Sequence, residues 1–127
     1  MMHQKALLFS DYKIASEIMC EMNPKKTKAL GRRVRNFDHD VWEQHKERIV
    51  EEGSYYKFMN CLSEEDLKAH LLATGDRELV EASMYDRIWG IGFNEKYADV
   101  NRGEWGLNLL GKALMRARER IKEQERL

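Results

Sequence analysis

Apolar residues recur at every third or fourth position along most of this chain, the spacing of one buried face of an α-helix. Met1 to Phe9 reads as a helix already under way at the first residue. Leu7, Leu8 and Phe9 are a heavy apolar load there, and no capping residue precedes them. Ser10 or Asp11 can cap a second helix, in which Ile14, Ile18 and Met22, with Ala15 and Met19, form one stripe filling the core. Asn23-Pro24 supplies the N-cap and first position of a short third helix. Its face is basic, with Lys25, Lys26, Lys28, Arg32, Arg33 and Arg35.

Phe37-Asp38 opens a fourth helix. Asp38 is the cap, and Phe37 and Trp42 occupy the two positions of a hydrophobic staple. Val41, Trp42, His45 and Ile49 continue its face. Gly53 is expected to end or kink it, leaving Tyr55 to Leu62 as a further helical stretch. Leu62-Ser63 repeats the staple and cap, with Leu67 as apolar partner and Asp66 as capping-box acid, and that helix runs to Ala73 and stops at Gly75. Glu78 to Ser83 is a strand or an extended loop. Asp86 to Asn94 carries two glycines flanking Ile91, a pattern that breaks helices and admits close backbone approach. The polar stretch Asn94 to Glu104 reads as a loop. The last helix is the clearest, with Leu107, Leu110, Leu114, Ala117 and Ile121 on one face. The pattern predicts a mainly α fold in a single domain over 1–127, with no internal repeat and no linker.

Composition agrees and narrows the function. In 127 residues, 43% hydrophobic content is enough for one core. Lysine plus arginine and aspartate plus glutamate balance at 22 each, so total charge gives no reason to coat nucleic acid or an anionic membrane. A small anionic ligand, which needs only a few local charges, stays open. Cys20 and Cys61 are far apart and outside any CxxC pair, which predicts two reduced, packed cysteines in a cytosolic protein. His3, His39, His45 and His70 show no HxxxH or Cys/His cluster, so neither a metal nor another cofactor is expected. No run of 18 apolar residues and no signal-peptide core occurs, which predicts a cytoplasmic protein with no membrane partner. Motifs for serine hydrolases, P-loop NTPases and Rossmann enzymes are absent from the sequence.

Leu79 to Phe93 has the most chemical content, with Glu81, Asp86 and Trp89 on irregular backbone. Carboxylates beside an aromatic ring can balance an oxocarbenium-like sugar or orient water, and the indole can stack on a base. Equally, Trp89 can be core, Asp86 a turn residue and Glu81 a surface charge. The stretch Ala29 to Asp38 sets Gly31 ahead of Arg32 and Arg33, whose forked donors suit phosphate oxygens, or make a solvated basic face. At Trp105 to Asn108, backbone N–H groups at a helix start can receive an anion, or simply begin the helix. Lys5 and Lys57, the latter followed by Phe58, can be half-buried amines with a lowered pKa or ordinary snorkelling lysines.

Several segments together resemble the NADAR (YbiA-like) family. They are MMHQKALLF at 1–9, LGRRVRNFD at 30–38, Trp42, Lys57-Phe58, LLATGDRELVEAS at 71–83, DRIWGIGF at 86–93 and WGLNLLGKALMRAR at 105–118. The resemblance implies a compact multihelical domain with few short strands. It also implies an N-glycosidase that cleaves a ribose C1–N bond in an ADP-ribosyl or phosphoribosyl-type substrate, including riboflavin-pathway intermediates and ADP-ribosylated nucleobases. By position it carries a catalytic role to Lys5, Glu81, Asp86 and Trp89. Ligand binding falls to Gly31, Arg32, Trp42, Lys57, Phe58, Gly90, Gly92 and Asn108. The partner implied is a nucleotide or phosphorylated riboside. Members of the family carry an N-terminal strand region with an S-x-E-[HQ]-Y-like segment that supplies a catalytic acid. The sequence here starts after that segment, inside the first helix. The alternative expectation is therefore a catalytically weakened relative that binds ADP-ribose-like ligands or a protein partner without turnover. An apolar start would also favour homo-oligomers. A nucleic-acid-binding module rests on the basic 25–35 stretch alone.

Overall fold

A computed structural model of the protein describes residues 1–60 and 66–127. Among these, seven α-helices and one 3₁₀ helix form, and no strand, so the mainly α expectation holds. The helices are α1 (Met2–Leu8), α2 (Tyr12–Cys20), α3 (Pro24–Arg32), α4 (His39–Met59), α5 (Leu67–Ala73), α6 (Glu95–Ala98) and α7 (Leu109–Arg126). The 3₁₀ helix is Asp99–Glu104. The chain divides into two compact units, Met1–Ile49 and Val50–Leu127.

The first unit is built from α1, α2, α3 and the start of α4. Ala6, Phe9, Ile14, Ala15, Ile18 and Val34 form its core, with Met2, Leu30, Val41 and Trp42 packed against them. The caps follow the sequence closely. Asp11 begins α2 by accepting the Ile14 N–H at 3.2 Å, and its other oxygen accepts the Arg35 N–H at 2.8 Å. That second bond ties the start of α2 to the chain leaving α3. The Arg35 N–H is the main reason the Asp11 carboxyl sits below the usual carboxylate range. Asn23 accepts the Lys25 and Lys26 N–H groups at the start of α3. Asp38 accepts those of Asp40 at 2.9 Å and Val41 at 3.2 Å at the start of α4.

Three expectations are corrected in or beside this unit. Met19 is 70% exposed and Met22 95% exposed, so neither fills the core. The cause is that α2 ends at Cys20 and Glu21 turns extended, which carries Met22 off the helical stripe. Cys20 is likewise exposed rather than packed, while Cys61 lies outside the described residues. Gly53 does not end α4. The helix runs through it to Met59, because a helical glycine costs only about 1 kcal/mol against alanine.

In the second unit, the expected staple and cap at Leu62-Ser63 lie outside the described residues. Asp66, expected as the box acid, is itself the N-cap of α5 and accepts the Ala69 N–H at 3.0 Å. Gly75 follows α5 at φ 64°, the left-handed turn that glycine takes without strain. The buried face of α7 is Leu109, Ala113, Ala117 and Ile121 together with Gly111 and Arg118; Leu107 precedes the helix and is exposed. The stretch expected as a polar loop is helical instead. Asn94 caps α6 through the Tyr97 N–H, and the Trp105 indole N–H donates to the Ala98 carbonyl at 2.8 Å, fixing the end of the 3₁₀ turn. Glu78 to Ser83 takes neither helix nor strand, and the Ser83 N–H turns back to the Glu81 carbonyl at 2.9 Å. No described helix is long and apolar enough to cross a membrane.

Candidate active site

The candidate residues fall into two groups, one in each unit. In the first unit the centre is Lys5, in the last turn of α1. Its Nζ donates to the Gly31 carbonyl at 2.8 Å. It lies 4.8 Å from the centroid of the Phe37 ring and 5.6 Å from that of Trp42. The side chain is half-buried, and its pKa is lowered first by burial and then by the positive charge of Arg32. The carbonyl and the two rings favour the ammonium form, yet desolvation and Arg32 set the net direction downward. A lowered amine pKa enlarges the neutral, nucleophilic fraction.

Gly31 has a packing reason to be glycine. A Cβ there would meet the Met2 side chain, which would have to shift; without one, Met2 packs directly on α3, beside the Lys5 bond to the Gly31 carbonyl. Arg32 is exposed beside it, and Trp42 is half-buried against the core. Phe37 completes the setting, with its ring edge-on to Phe9 at 5.2 Å. Sequence reasoning placed Phe37 only in a staple; an aromatic directly before a helix cap was the one available signal.

In the second unit, Glu81, Asp86, Trp89, Gly90, Gly92 and Asn108 gather where the 79–93 loop meets the start of α7. Backbone bonds hold that junction. The N–H groups of Gly106, Leu107 and Asn108 donate to the carbonyls of Ile91, Arg87 and Gly90 at 2.8, 2.8 and 3.0 Å. Those of Leu109 and Leu110 donate to Ile88 and Trp89 at 3.1 and 3.0 Å. Of the Trp105 to Asn108 N–H groups considered as anion receptors, those of Gly106, Leu107 and Asn108 are therefore occupied by loop carbonyls, and the loop itself serves as the cap of α7. Asn108 is buried at φ 51°, accepts the Glu81 N–H at 3.0 Å and donates to the Leu79 carbonyl at 2.9 Å. A Cβ on Gly90 would lie 2.8 Å from the carbonyl oxygens of both Glu81 and Asp86. The close approach these residues permit is between two pieces of backbone.

Asp86 has a divided role. Its Oδ1 accepts the N–H groups of Ile88 at 2.9 Å and Trp89 at 2.8 Å, which sets the turn. Its Oδ2 has no partner among the described residues. The Glu81 side chain is exposed and the Trp89 ring half-buried. Gly92, at φ 82°, lies against the Arg87 stem, and the Arg87 guanidinium donates to the Glu104 carbonyl at 2.6 Å. Lys57 is exposed near the end of α4, 5.9 Å from the half-buried Phe58 ring. Among the described residues no three His, Cys, Asp or Glu side chains are placed to hold a metal ion.

A profile of the NADAR domain matches residues 1–122. The chain belongs to the NADAR family. The resemblance read from LLATGDRELVEAS and DRIWGIGF thus holds, and the NADAR match runs through both groups of candidate residues. Among relatives, an N-glycosidase of Acanthamoeba polyphaga mimivirus is 47% identical over 121 residues, which cover 94% of this chain and 69% of that protein. The protein irg-1 of Caenorhabditis elegans is 36% identical over 124 residues, covering 94% and 57%. An N-glycosidase of Nostoc punctiforme is 38% identical over 120 residues, covering 94% and 69%. This NADAR chain therefore spans between 57% and 69% of the length of these relatives, and N-glycosidases occur in its family.

Proposed function

We propose that this chain hydrolyses the ribose C1–N bond of an ADP-ribosyl or phosphoribosyl-type substrate. The observation that carries the reading is the Lys5 amine, half-buried between two aromatic rings with its pKa lowered, in a chain whose relatives include N-glycosidases. A neutral amine can bond to C1 as the C1–N bond breaks, the base leaving with the electron pair and taking up a proton. The glycosylammonium so formed passes a proton to the ring oxygen as the C1–O bond of the ring opens, giving an iminium; water adds to it and expels the amine, releasing the sugar as an aldehyde that can close again to its cyclic form. Carboxylates balance positive charge developing on a sugar, and an indole stacks on a base; the family resemblance implies catalytic roles for Glu81, Asp86 and Trp89 within the second unit.

The test is incubation with a panel of N-ribosides, with released base and sugar followed by mass spectrometry. A parallel sample is quenched with borohydride, which would reduce an iminium to a stable adduct. The expected result is base release from a phosphorylated riboside and a sugar adduct on Lys5. Tight binding of these ligands with no base released would replace this reading with that of a binding protein. Base release without any adduct on Lys5 would remove the covalent step.

A further inference from the structure

Phe37 stands in the Lys5 group without a part in the chemistry proposed above. The staple expected with Trp42 would bury it, yet it stays 45% exposed. Its ring is nonetheless fixed. It meets the buried Phe9 ring edge-on, with centroids 5.2 Å apart and planes at 60°. The backbone on either side is held by a carboxylate. Asp11 accepts the Arg35 N–H at 2.8 Å, and Asp38 accepts those of Asp40 and Val41. Asn36, at φ 58°, turns the chain between them in a conformation that asparagine tolerates better than most residues. The Lys5 Nζ lies 4.8 Å from the ring centroid, inside cation–π range. Its other near neighbours close it off: Gly31, whose carbonyl accepts the Nζ bond, is buried, and Trp42 packs against the core. Phe37 and Arg32 are exposed, so a molecule reaching the amine from solvent passes them.

We propose that Phe37 determines specificity, its ring packing against the substrate sugar while C1 is at Lys5, a role that rests on Lys5 being the nucleophile. An amine that displaces a base attacks C1 opposite the breaking C1–N bond. At the roughly 3–3.5 Å of a near-attack geometry, the sugar atoms beside C1 flank the nitrogen and the base lies beyond C1. A ring 4.8 Å from Nζ on its open side is therefore nearer to the sugar than to the base. Phenylalanine has no polar group to offer. Its flat apolar face suits the C–H edges of a furanose and penalises a charged group brought to the same place. The contact with Lys5 does not by itself account for an aromatic ring here. A π face favours the ammonium over the neutral amine, which works against a nucleophile. A surface for the sugar supplies the missing reason.

The experiment is steady-state kinetics of the full chain on phosphorylated N-ribosides that share one sugar and differ in base, comparing the parent with Phe37→Leu and Phe37→Tyr. Leucine keeps apolar bulk against Phe9 and loses the flat ring, whereas tyrosine keeps the ring. Phe37→Leu is expected to raise KM by about tenfold or more, by the same factor for every base, with kcat kept within about threefold. Phe37→Tyr should stay near the parent, and helical circular dichroism should match in all three chains. A fall in kcat at unchanged KM would mean that Phe37 acts only through Lys5. A factor that changes with the base would put the ring against the leaving group instead of the sugar. Unchanged kinetics in Phe37→Leu, or a Phe37→Tyr chain as impaired as Phe37→Leu, would also overturn the contact. No turnover by the parent would overturn the nucleophilic role of Lys5 and this contact with it. Turnover and a borohydride-trapped adduct on Lys5 in the parent, with any of the contrary outcomes in the variants, would overturn the contact alone.

Discussion

The two groups of candidate residues are built by opposite means. Around Lys5, regular helices meet, and a side chain is held by a carbonyl and two rings. Around Asp86, irregular backbone is held by the start of a helix, through five N–H groups given to loop carbonyls. In the first group the glycine, Gly31, leaves room for the Met2 side chain beside the Lys5 contact. In the second, Gly90, Gly106 and Gly111 exist so that the backbone can close on itself. A glycine-rich loop beside an aromatic and an acid is thus explained first by architecture. What remains there for chemistry is the part the architecture leaves unused, above all the second oxygen of Asp86.

The sharpest way to break this contrast is at Lys5. Lys5→Met keeps the length and apolar stem but removes the amine. Turnover is expected to fall by about 10³-fold or more, within or above the range for one positioned proton-transfer group, with helix content unchanged. A variant rate within tenfold of the parent would make Lys5 a packing lysine.

Asp86→Asn asks whether the second group holds chemistry at all. Asparagine retains an acceptor for the Ile88 and Trp89 N–H groups, so the turn persists and the melting temperature should barely move. Removing the charge is expected to cost about 100-fold in turnover with little change in ligand affinity, the mark of an interaction made in the transition state. Unchanged turnover would leave Asp86 as a turn residue only.

Much of this arrangement was legible in the sequence. Asp11, Asn23 and Asp38 announce their helices because a capping oxygen acts locally, within three residues. Met22 falls off the predicted stripe because periodicity does not say where the chain leaves the helix. The face of α7 was read too far toward its leucines. Ala117 and Ile121 lie on the buried line as predicted, but before them it runs through Leu109 and Ala113 rather than Leu107, Leu110 and Leu114; a small side chain at 113 allows close packing, a demand made by the partner surface and invisible in a single helix. Asn94 to Glu104 looked like a loop because its stabilisation comes from the Trp105 indole at a distance. Around the candidate sites, residue types were readable but the reasons for them were not. Gly90 and Asn108 fit a ligand cradle by type, and only the partner carbonyls, nine or more residues away for Glu81 and Leu79, show what they touch.

Gly111→Ala tests the claim that the second group is a backbone construction. The added Cβ meets the Leu79 carbonyl and the Asn108 amide, both of which are engaged and unable to retreat freely. Overpacking of this kind costs about 1–3 kcal/mol, measurable as a lower midpoint in urea. Gly53→Ala is the control. Its Cβ would meet nothing within 4 Å, and in a helix it should stabilise by about 0.5–1 kcal/mol. Equal effects from the two would mean that the close approach at Gly111 is not a constraint.

The smallest expected effect concerns Arg32, and it sharpens the account of the first group. Lys5 has its pKa lowered mainly by burial and secondarily by Arg32. Between that lowered folded value and the ordinary lysine value of 10.5, the unfolded chain holds more protons than the folded one. Stability therefore rises with pH across that window, and the cost of burying the charge is fully present below it. If the neutral amine is the active form, turnover also rises with pH through the folded pKa. Arg32→Gln removes the nearby positive charge but leaves the burial. The Lys5 pKa should move upward, the rising limb of the rate profile should move to higher pH, and turnover at neutral pH should fall modestly while the high-pH plateau is kept. Because burial is the larger cause, most of the depression should survive the substitution. A limb that stays in place would separate Arg32 from the amine electrostatically. A plateau that falls along with the neutral-pH rate would instead place Arg32 in contact with the substrate, the ligand-binding role that the family resemblance implies for it.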